Sequence, residues 1–394
     1  MNDSTAALAT LAEAIADPDH PVKAETTAWA REQLAGHDRV AADAGSDFPL
    51  DDWHRLAERG LMRLFVPPQH GGAEIGLAEA LLTLEGLGHG CPDNGLTYAL
   101  ASQLFSTQIA LTRFGSDAQR ERWLPGLLAG TEFAAFAMTE PGSGSDAFSL
   151  AARADRLSDG SYRLNGHKAY ITFAPRCDMA IVFASTRPDA GSWGITAFVV
   201  DATSEGVERT PVRPKMGMRT TPFGDLLLRD VVVSPDAILG REGAGASIFS
   251  AVLDVERSYV FAPQVGAMER QLEESIAYAR EREQGGQPIG RYQAVAHRIV
   301  EMKEHHERAR LFLYRAAIAE TVGRDVSMWA SLAKIVAGEV GVAAALDAAM
   351  VQGARGYLSE FEIERGVRDA IGGLAYSGTP DILRNVVARQ LGVG

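Results

Sequence analysis

A carboxylate at the edge of an apolar helical face is the arrangement in this chain best suited to take a proton from carbon. Leu253-Asp-Val-Glu-Arg257 lies near the start of a long helical pattern in the last third of the sequence. Apolar residues recur at Ile248, Val252, Val255 and Tyr259, then at Phe261, Val265, Met268, Leu272 and Ile276, spaced by threes and fours. Glu256 borders that face, one turn after Val252 and one turn before Val260. Partial burial disfavours the charged form of a carboxylate and so suits it to accept a proton. Spacing alone favours the plainer reading, a rim glutamate paired along the helix surface.

Other stretches carry weaker signals. Thr139-Glu-Pro-Gly-Ser-Gly-Ser-Asp146 is built of small residues, whose backbone can approach a ligand and whose successive N–H groups can face an anion. A flexible loop has the same composition, and the glycine spacing is not that of a dinucleotide-binding turn. Leu239-Gly-Arg-Glu-Gly-Ala-Gly245 is a second glycine-rich loop, read equally as a phosphate cradle or as a turn between domains. Glu304-His-His-Glu307 lacks metal-ligand spacing and is placed on a solvated helix face. His167-Lys168 follows a turn and is placed on the surface. Neither a metal site nor a Ser-His-Asp arrangement is read from the sequence.

Three textures must position these residues. Residues 1–131 read as an N-terminal helical domain, with segments at 4–16, 51–64, 77–87, 97–114 and 117–128. Pro18 and Pro21 break the first, the Pro67-Pro68 pair and Gly71-Gly72 end the second, and Gly130 stops the last. Residues 132–243 carry short β-branched and aromatic runs at 180–184, 194–200 and 226–233, which predict a β middle domain. Asp159-Gly160 and Asn165-Gly166 are read as its hairpin turns. Residues 244–394 return to helix at 246–282, 292–322, 326–351, 360–371 and 380–391, with Pro263 inside the first. Long amphipathic helices with short connections predict a bundle. Thr379 is read as the cap of the last helix and Pro380 as its first residue, which puts Ser377-Gly378 in the tight turn before it.

Composition bounds the partners. The 394 residues are 46% hydrophobic and 23% charged, ordinary for a globular protein. A net charge of −13 argues against nucleic acid. Cys91 and Cys177 give no disulfide framework, so a cytoplasmic location is expected. The N-terminus lacks the basic and apolar regions of a signal peptide. No apolar run is read as approaching membrane-spanning length, and no membrane partner is expected.

Several motifs, weak singly, are specific in their order and spacing. They are Ala137-Met-Thr-Glu-Pro-Gly-Ser-Gly-Ser-Asp146, Gly166-His-Lys-Ala-Tyr-Ile-Thr172, Lys215-Met-Gly-Met-Arg219, Leu253-Asp-Val-Glu-Arg257, Glu364-Arg-Gly-Val-Arg-Asp369 and Tyr376-Ser-Gly-Thr379. Together they resemble the acyl-CoA dehydrogenase family of flavoproteins along essentially the whole chain. The resemblance implies a mainly α fold with a β middle domain and a C-terminal four-helix bundle. It also implies one FAD per subunit and a homo-oligomer, tetramer or dimer. In such enzymes a carboxylate removes the α-proton of an acyl thioester and a hydride leaves Cβ for the flavin. By the same resemblance Met138, Thr139, Tyr170, Ile171 and Thr172 would lie against the flavin. Thr379 and Asp381 would also contact FAD, and a neighbouring subunit would supply Arg282, Gln293 and Gly353. Ser145 would touch both cofactor and substrate, and Asp254, Arg257, Ser377 and Gly378 would border the substrate's thioester arm.

The departures from the family pattern direct the reading further. The common base is a glutamate between tyrosine and glycine in the turn before the last helix, where this chain has Ser377. Some members instead carry the base at the position matching Glu256, which is therefore the expected base here. Serine in the turn with glutamate on the helix is similar to a branch that oxidises aminoacyl groups on carrier proteins, such as the prolyl-carrier-protein dehydrogenases of antibiotic biosynthesis. Near the expected FAD phosphates the family's Arg-x-x-Phe-Gly reads Arg282-Glu-Gln-Gly285-Gly286, and its Gln-x-x-Gly-Gly-x-Gly-Tyr reads Met350-Val-Gln-Gly353-Ala354-Arg-Gly356-Tyr357. Weaker FAD retention and a reshaped pocket are both open.

The expected function is FAD-dependent α,β-dehydrogenation of an acyl or aminoacyl thioester on an acyl or peptidyl carrier protein. Glu256 is the expected base, and a flavoprotein or oxygen the expected electron acceptor. The alternatives are a short- or branched-chain acyl-CoA dehydrogenase and a non-catalytic flavin- or thioester-binding protein on the same scaffold.

Overall fold

A computed structural model describes residues 3–34, 38–73 and 75–393. The middle of the chain is a seven-stranded sheet: β1 Ala134–Ala137, β2 Arg153–Arg156, β3 Tyr162–Thr172, β4 Met179–Ser185, β5 Ile195–Asp201, β6 Val207–Arg209 and β7 Phe223–Val233. The order is β1-β4-β2-β3-β7-β6, with β5 also paired to β4. β4 is buried along its whole length. The reason is that its alternate residues enter two different cores. Ala180, Val182 and Ala184 pack inside the sheet domain with Phe198, Val200 and Leu226. Met179, Ile181 and Phe183 pack against the helices. Period-two alternation between two apolar environments explains why both faces of this strand are apolar.

Asp159-Gly160 does form the turn between β2 and β3, with Gly160 at φ 89°. Asn165-Gly166 does not make a turn. It lies within β3 at a register shift against β7, where the Asn165 amide donates to Asp230 at 3.0 Å. A Cβ on Gly166 would come within 2.6 Å of Ala152, so glycine is needed for close packing rather than for turning.

Helices lie on both sides of the sheet in sequence. Asp3–Ala16, Leu50–Glu58, Leu77–Gly90 and Asp117–Ala129 follow the expected segments. Pro21 opens a helix, Pro21–Gln33, because proline is preorganised for the first helical turn. The expected 97–114 segment is instead Asn94–Ser102, a π-helical stretch Gln103–Gln108, and Ile109–Phe114. The expected 246–282 segment is two helices, Gly245–Tyr259 and Ala262–Glu281. Pro263 sits in the first turn of the second, where its missing N–H costs nothing, and the chain bends at Val260-Phe261. Gln293–Val322, Val326–Gln352, Ile363–Gly372 and Pro380–Gln390 complete the bundle.

Leu77–Gly90 and Ala262–Glu281 approach backbone to backbone. A Cβ on Gly88 would lie 1.7 Å from the Pro263 carbonyl, and one on Gly266 would lie 1.9 Å from that of Glu85. That contact fixes the start of the second helix, and with it the bend just after Glu256.

Two expectations about exposure fail. His306 is buried at 1% exposure, because its side of Gln293–Val322 faces Glu269 on Ala262–Glu281, 3.9 Å away. Among the described residues one helix, Val326–Gln352 with its short continuation to Gly356, is long and apolar enough to cross a membrane by length and composition. It packs instead in the bundle against Gln293–Val322, Ala262–Glu281 and Pro380–Gln390.

Candidate active site

The helix Gly245–Tyr259 buries Ile248, Val252, Val255 and Tyr259 and leaves Glu256 half-buried at the edge of that face. Both carboxylate oxygens of Glu256 are engaged. The Ser106 hydroxyl donates to Oε2 at 2.7 Å, and the Ser377 hydroxyl donates to Oε1. Ser106 comes from the π-helical stretch and Ser377 from the turn before the last helix, so three separate elements meet at this carboxylate.

The turn is held in an unusual backbone. Ser377 has φ 57° and Gly378 φ 95°. The left-handed region costs a non-glycine residue roughly 1–2 kcal/mol, so neighbours must fix it. Arg257 does so, donating from Nε to the Ser377 carbonyl at 3.0 Å. Thr379 caps the following helix, accepting from the Ile382 N–H at 3.4 Å. Asp254 lies 3.9 Å from the Arg257 guanidinium. Burial pushes the Asp254 carboxyl up, and Arg257 partly opposes this.

Aromatic rings wall the other side. Tyr376 stacks on Phe261 with centroids 5.2 Å apart and tilts against Tyr98 at 4.6 Å. Burial first, then the nearby Glu256 charge, raises the Tyr98 phenol. Tyr376 is also raised, by burial, Tyr98 and Glu256 in that order. Tyr98 also interacts with the Thr172 side chain, which links the end of β3 to this wall.

The sheet presents its own set. Lys168, expected on the surface, is fully buried. Its ammonium donates to the Met138 carbonyl at 3.1 Å and to Glu140 at 2.7 Å. Glu140 in turn accepts from the N–H groups of Ala151 and Ala152 at 2.7 and 3.0 Å. A buried cation thus ties the end of β1 to both ends of the glycine-rich loop. Burial holds the Lys168 amine down to about 8, against the pull of Glu140. The Thr139 carbonyl accepts from the Ala169 N–H at 2.9 Å. Ser145 is exposed on the loop.

β3 shifts register between Lys168 and Ile171, which turns Tyr170 outward at φ 62° and 52% exposure. Its N–H donates to the buried Asp225 at 3.2 Å, and Asp225 also accepts from Arg213 at 2.8 Å. The Arg213 guanidinium lies 5.2 Å from the Tyr170 ring centroid. The Ile171 side chain is buried in the sheet core, so only its backbone faces out.

An exposed aromatic ring backed by the Arg213 guanidinium, with a threonine side chain two residues further along the strand, suits a flat aromatic cofactor. The structure brings together Glu256, Asp254, Arg257, Ser377 and Gly378, and links them through Tyr98 to Thr172. It does not bring Arg282, Gln293 and Gly353 there. Arg282 ends the helix Ala262–Glu281 whose first turn adjoins Glu256, so it lies roughly 30 Å along the bundle. All three are exposed. Asp381 is exposed and engages Arg384 at 3.1 Å.

Ser106 is the residue that sequence reasoning missed. Its signal was five polar residues, Ser102, Gln103, Ser106, Thr107 and Gln108, inside an otherwise apolar helical run.

Comparison with known proteins places this architecture. The sequence matches three family descriptions in order: "Acyl-CoA dehydrogenase, N-terminal domain" over residues 19–131, "middle domain" over 135–231 and "C-terminal domain" over 243–392. The chain belongs to the acyl-CoA dehydrogenase family. With that membership stand an oxidoreductase of thioesters and FAD as its cofactor. An L-prolyl-[peptidyl-carrier protein] dehydrogenase of Pseudomonas fluorescens is 37% identical over 344 residues, covering 87% of this chain and 90% of that protein. The crystal structure of the prolyl acyl carrier protein oxidase AnaB superposes with a TM-score of 0.91 at 38% identity, covering 94% of this chain and 98% of that one. The structure titled "PigA with FAD and proline" gives a TM-score of 0.90 at 32% identity, covering 94% and 97%.

Proposed function

We propose that this chain oxidises the Cα–Cβ bond of an aminoacyl or acyl thioester carried on a peptidyl or acyl carrier protein, with Glu256 as the base. The observation that carries the reading is the Glu256 carboxylate, half-buried and hydrogen-bonded to the serine that stands in the turn before the last helix. The similarity to prolyl-carrier-protein dehydrogenases supports the carrier-bound substrate.

In this reading Glu256 accepts the α-proton, and the Tyr98–Tyr376 wall keeps water from the carbon that loses it. The Ser377 N–H, turned by its left-handed backbone, is assigned to the thioester carbonyl as negative charge gathers there. Arg257 holds that turn in place through the Ser377 carbonyl. Met138, Thr139, Tyr170 and Thr172 would hold the flavin ring, with Ser145, the Ile171 backbone, Thr379 and Asp381 around it. FAD, when bound, supplies the two-electron acceptor that completes the oxidation. Arg282, Gln293 and Gly353 are assigned to a cofactor site completed in a homo-oligomer. Electrons would leave to a flavoprotein or to oxygen.

The test is anaerobic mixing of the FAD-loaded protein with two panels while the oxidised-flavin band is followed. One panel holds aminoacyl and acyl carrier proteins, L-prolyl included, and the other short and branched acyl-CoAs. Bleaching by carrier-bound substrates alone is expected. Bleaching by CoA esters alone would replace this reading with that of a free acyl-CoA dehydrogenase.

A further inference from the structure

We propose that Ser106 is the positioning residue of the base: it keeps hold of Glu256 Oε2 while the substrate displaces the Ser377 hydroxyl from Oε1. The inference rests on Glu256 being the base and goes beyond it by assigning the two oxygens different tasks.

The two serines are held differently. Ser106 is 4% exposed and lies within a helical run packed on all sides. Its neighbour Phe105 contacts Phe65 at 4.7 Å and Tyr259 at 5.8 Å, so the segment is anchored to the same helix that carries Glu256. The Ser106 hydroxyl is thus buried beside Oε2. Ser377 sits in a half-buried turn followed by Gly378. Oε1 is therefore the oxygen that an incoming α-carbon can approach.

Ser106 reaches Glu256 because of the π-helical stretch. A π turn inserts one extra residue, which shifts every later side chain by about 100° around the helix axis. Ser106 lies within that shift, directly after the buried Phe105. The stretch is unfavourable in itself. Gln103 Nε2 and both amide atoms of Gln108 are buried without a hydrogen-bond partner among the described residues. Such groups need an explanation, and delivery of one hydroxyl to the base supplies it.

The chemical effect follows from the donor. A hydroxyl on one oxygen keeps that oxygen engaged before the substrate arrives. It also fixes the plane of the carboxylate, so that the free oxygen points at the carbon it must deprotonate.

The experiment uses FAD-loaded wild type, Ser106→Ala, Ser106→Thr and Glu256→Gln, with L-prolyl carrier protein as the probe and flavin bleaching as the readout. Ser106→Ala is expected to slow bleaching about tenfold, the effect of losing one hydrogen bond to a charged group, with KM little changed. Ser106→Thr, which keeps the hydroxyl, should recover most of the rate. An unchanged rate in Ser106→Ala, while Glu256→Gln is inactive, would overturn the role of Ser106 and leave the base assignment standing. Wild-type rate in Glu256→Gln would overturn the base, and Ser106's task with it. A double-mutant cycle of Ser106→Ala and Glu256→Ala in thermal melting needs no substrate. It should show coupling between the two side chains, and its absence would overturn the proposal whatever the probe does.

Discussion

The Ser377 hydroxyl is hydrogen-bonded to Glu256, so the turn before the last helix and the helix Gly245–Tyr259 deliver side chains to one point. Two sequence positions 121 residues apart are in contact here. A carboxylate placed at position 377 would therefore stand beside Glu256. Arg257 strengthens the link from the same helix by fixing the Ser377 carbonyl.

The first prediction follows from that contact. Glu256→Gln should retain FAD and lose substrate-dependent flavin reduction by roughly 10²–10⁴-fold, the span of a general base. Adding Ser377→Glu to it should restore at least about tenfold, because the new carboxylate lies beside the one removed. Stopped-flow bleaching with flavin content read on the same samples checks both. No recovery would mean that the two positions do not address the same carbon.

Ser377→Ala alone should be mild. It removes one of two donors on the carboxylate and leaves both the backbone N–H and Ser106 in place. A loss below about tenfold is expected in the same assay. A fall comparable with Glu256→Gln would give the hydroxyl a chemical task of its own.

The Lys168–Glu140 pair predicts a stability effect. Lys168→Met leaves a buried carboxylate without its cation, which costs about 3–5 kcal/mol. Glu140 also holds Ala151 and Ala152, so the loop that carries Ser145 should become sensitive to proteolysis. Denaturant unfolding measures the first effect and limited digestion the second. Adding Glu140→Gln should lessen the loss, since the stranded charge is then gone.

Lys334 predicts a pH effect with a defined sign. Its ammonium is fully buried in the bundle, with no hydrogen-bond partner among the described residues. Burial, aided by the Arg257 charge, brings its amine down to about 8. An unfolded lysine titrates near 10.4, so between about pH 8 and 10.4 the unfolded chain binds more protons than the folded one. Stability from this group therefore rises with pH across that window. Lys334→Met should raise the melting temperature at neutral pH and flatten the rise above pH 8, as read by melting curves in a pH series.

The sequence by itself determined the succession of helix, sheet and helix, because hydrophobic period and turn residues are local properties. It placed Thr379 and Pro380 at the start of the last helix, since capping depends only on neighbours in the chain. It also singled out Glu256 and Ser377, because the surrounding motifs keep their order and spacing. Tertiary structure decided the rest. His306 and Lys168 read as surface residues, yet both are buried by segments distant in the chain: one faces Ala262–Glu281, the other reaches back to β1 and Glu140. The outward turn of Tyr170 depends on a register shift against β7, a property of two strands together. Ser106 was hidden for a similar reason. Its direction depends on a π turn that periodicity averages away, and its importance on a carboxylate 150 residues further along the chain.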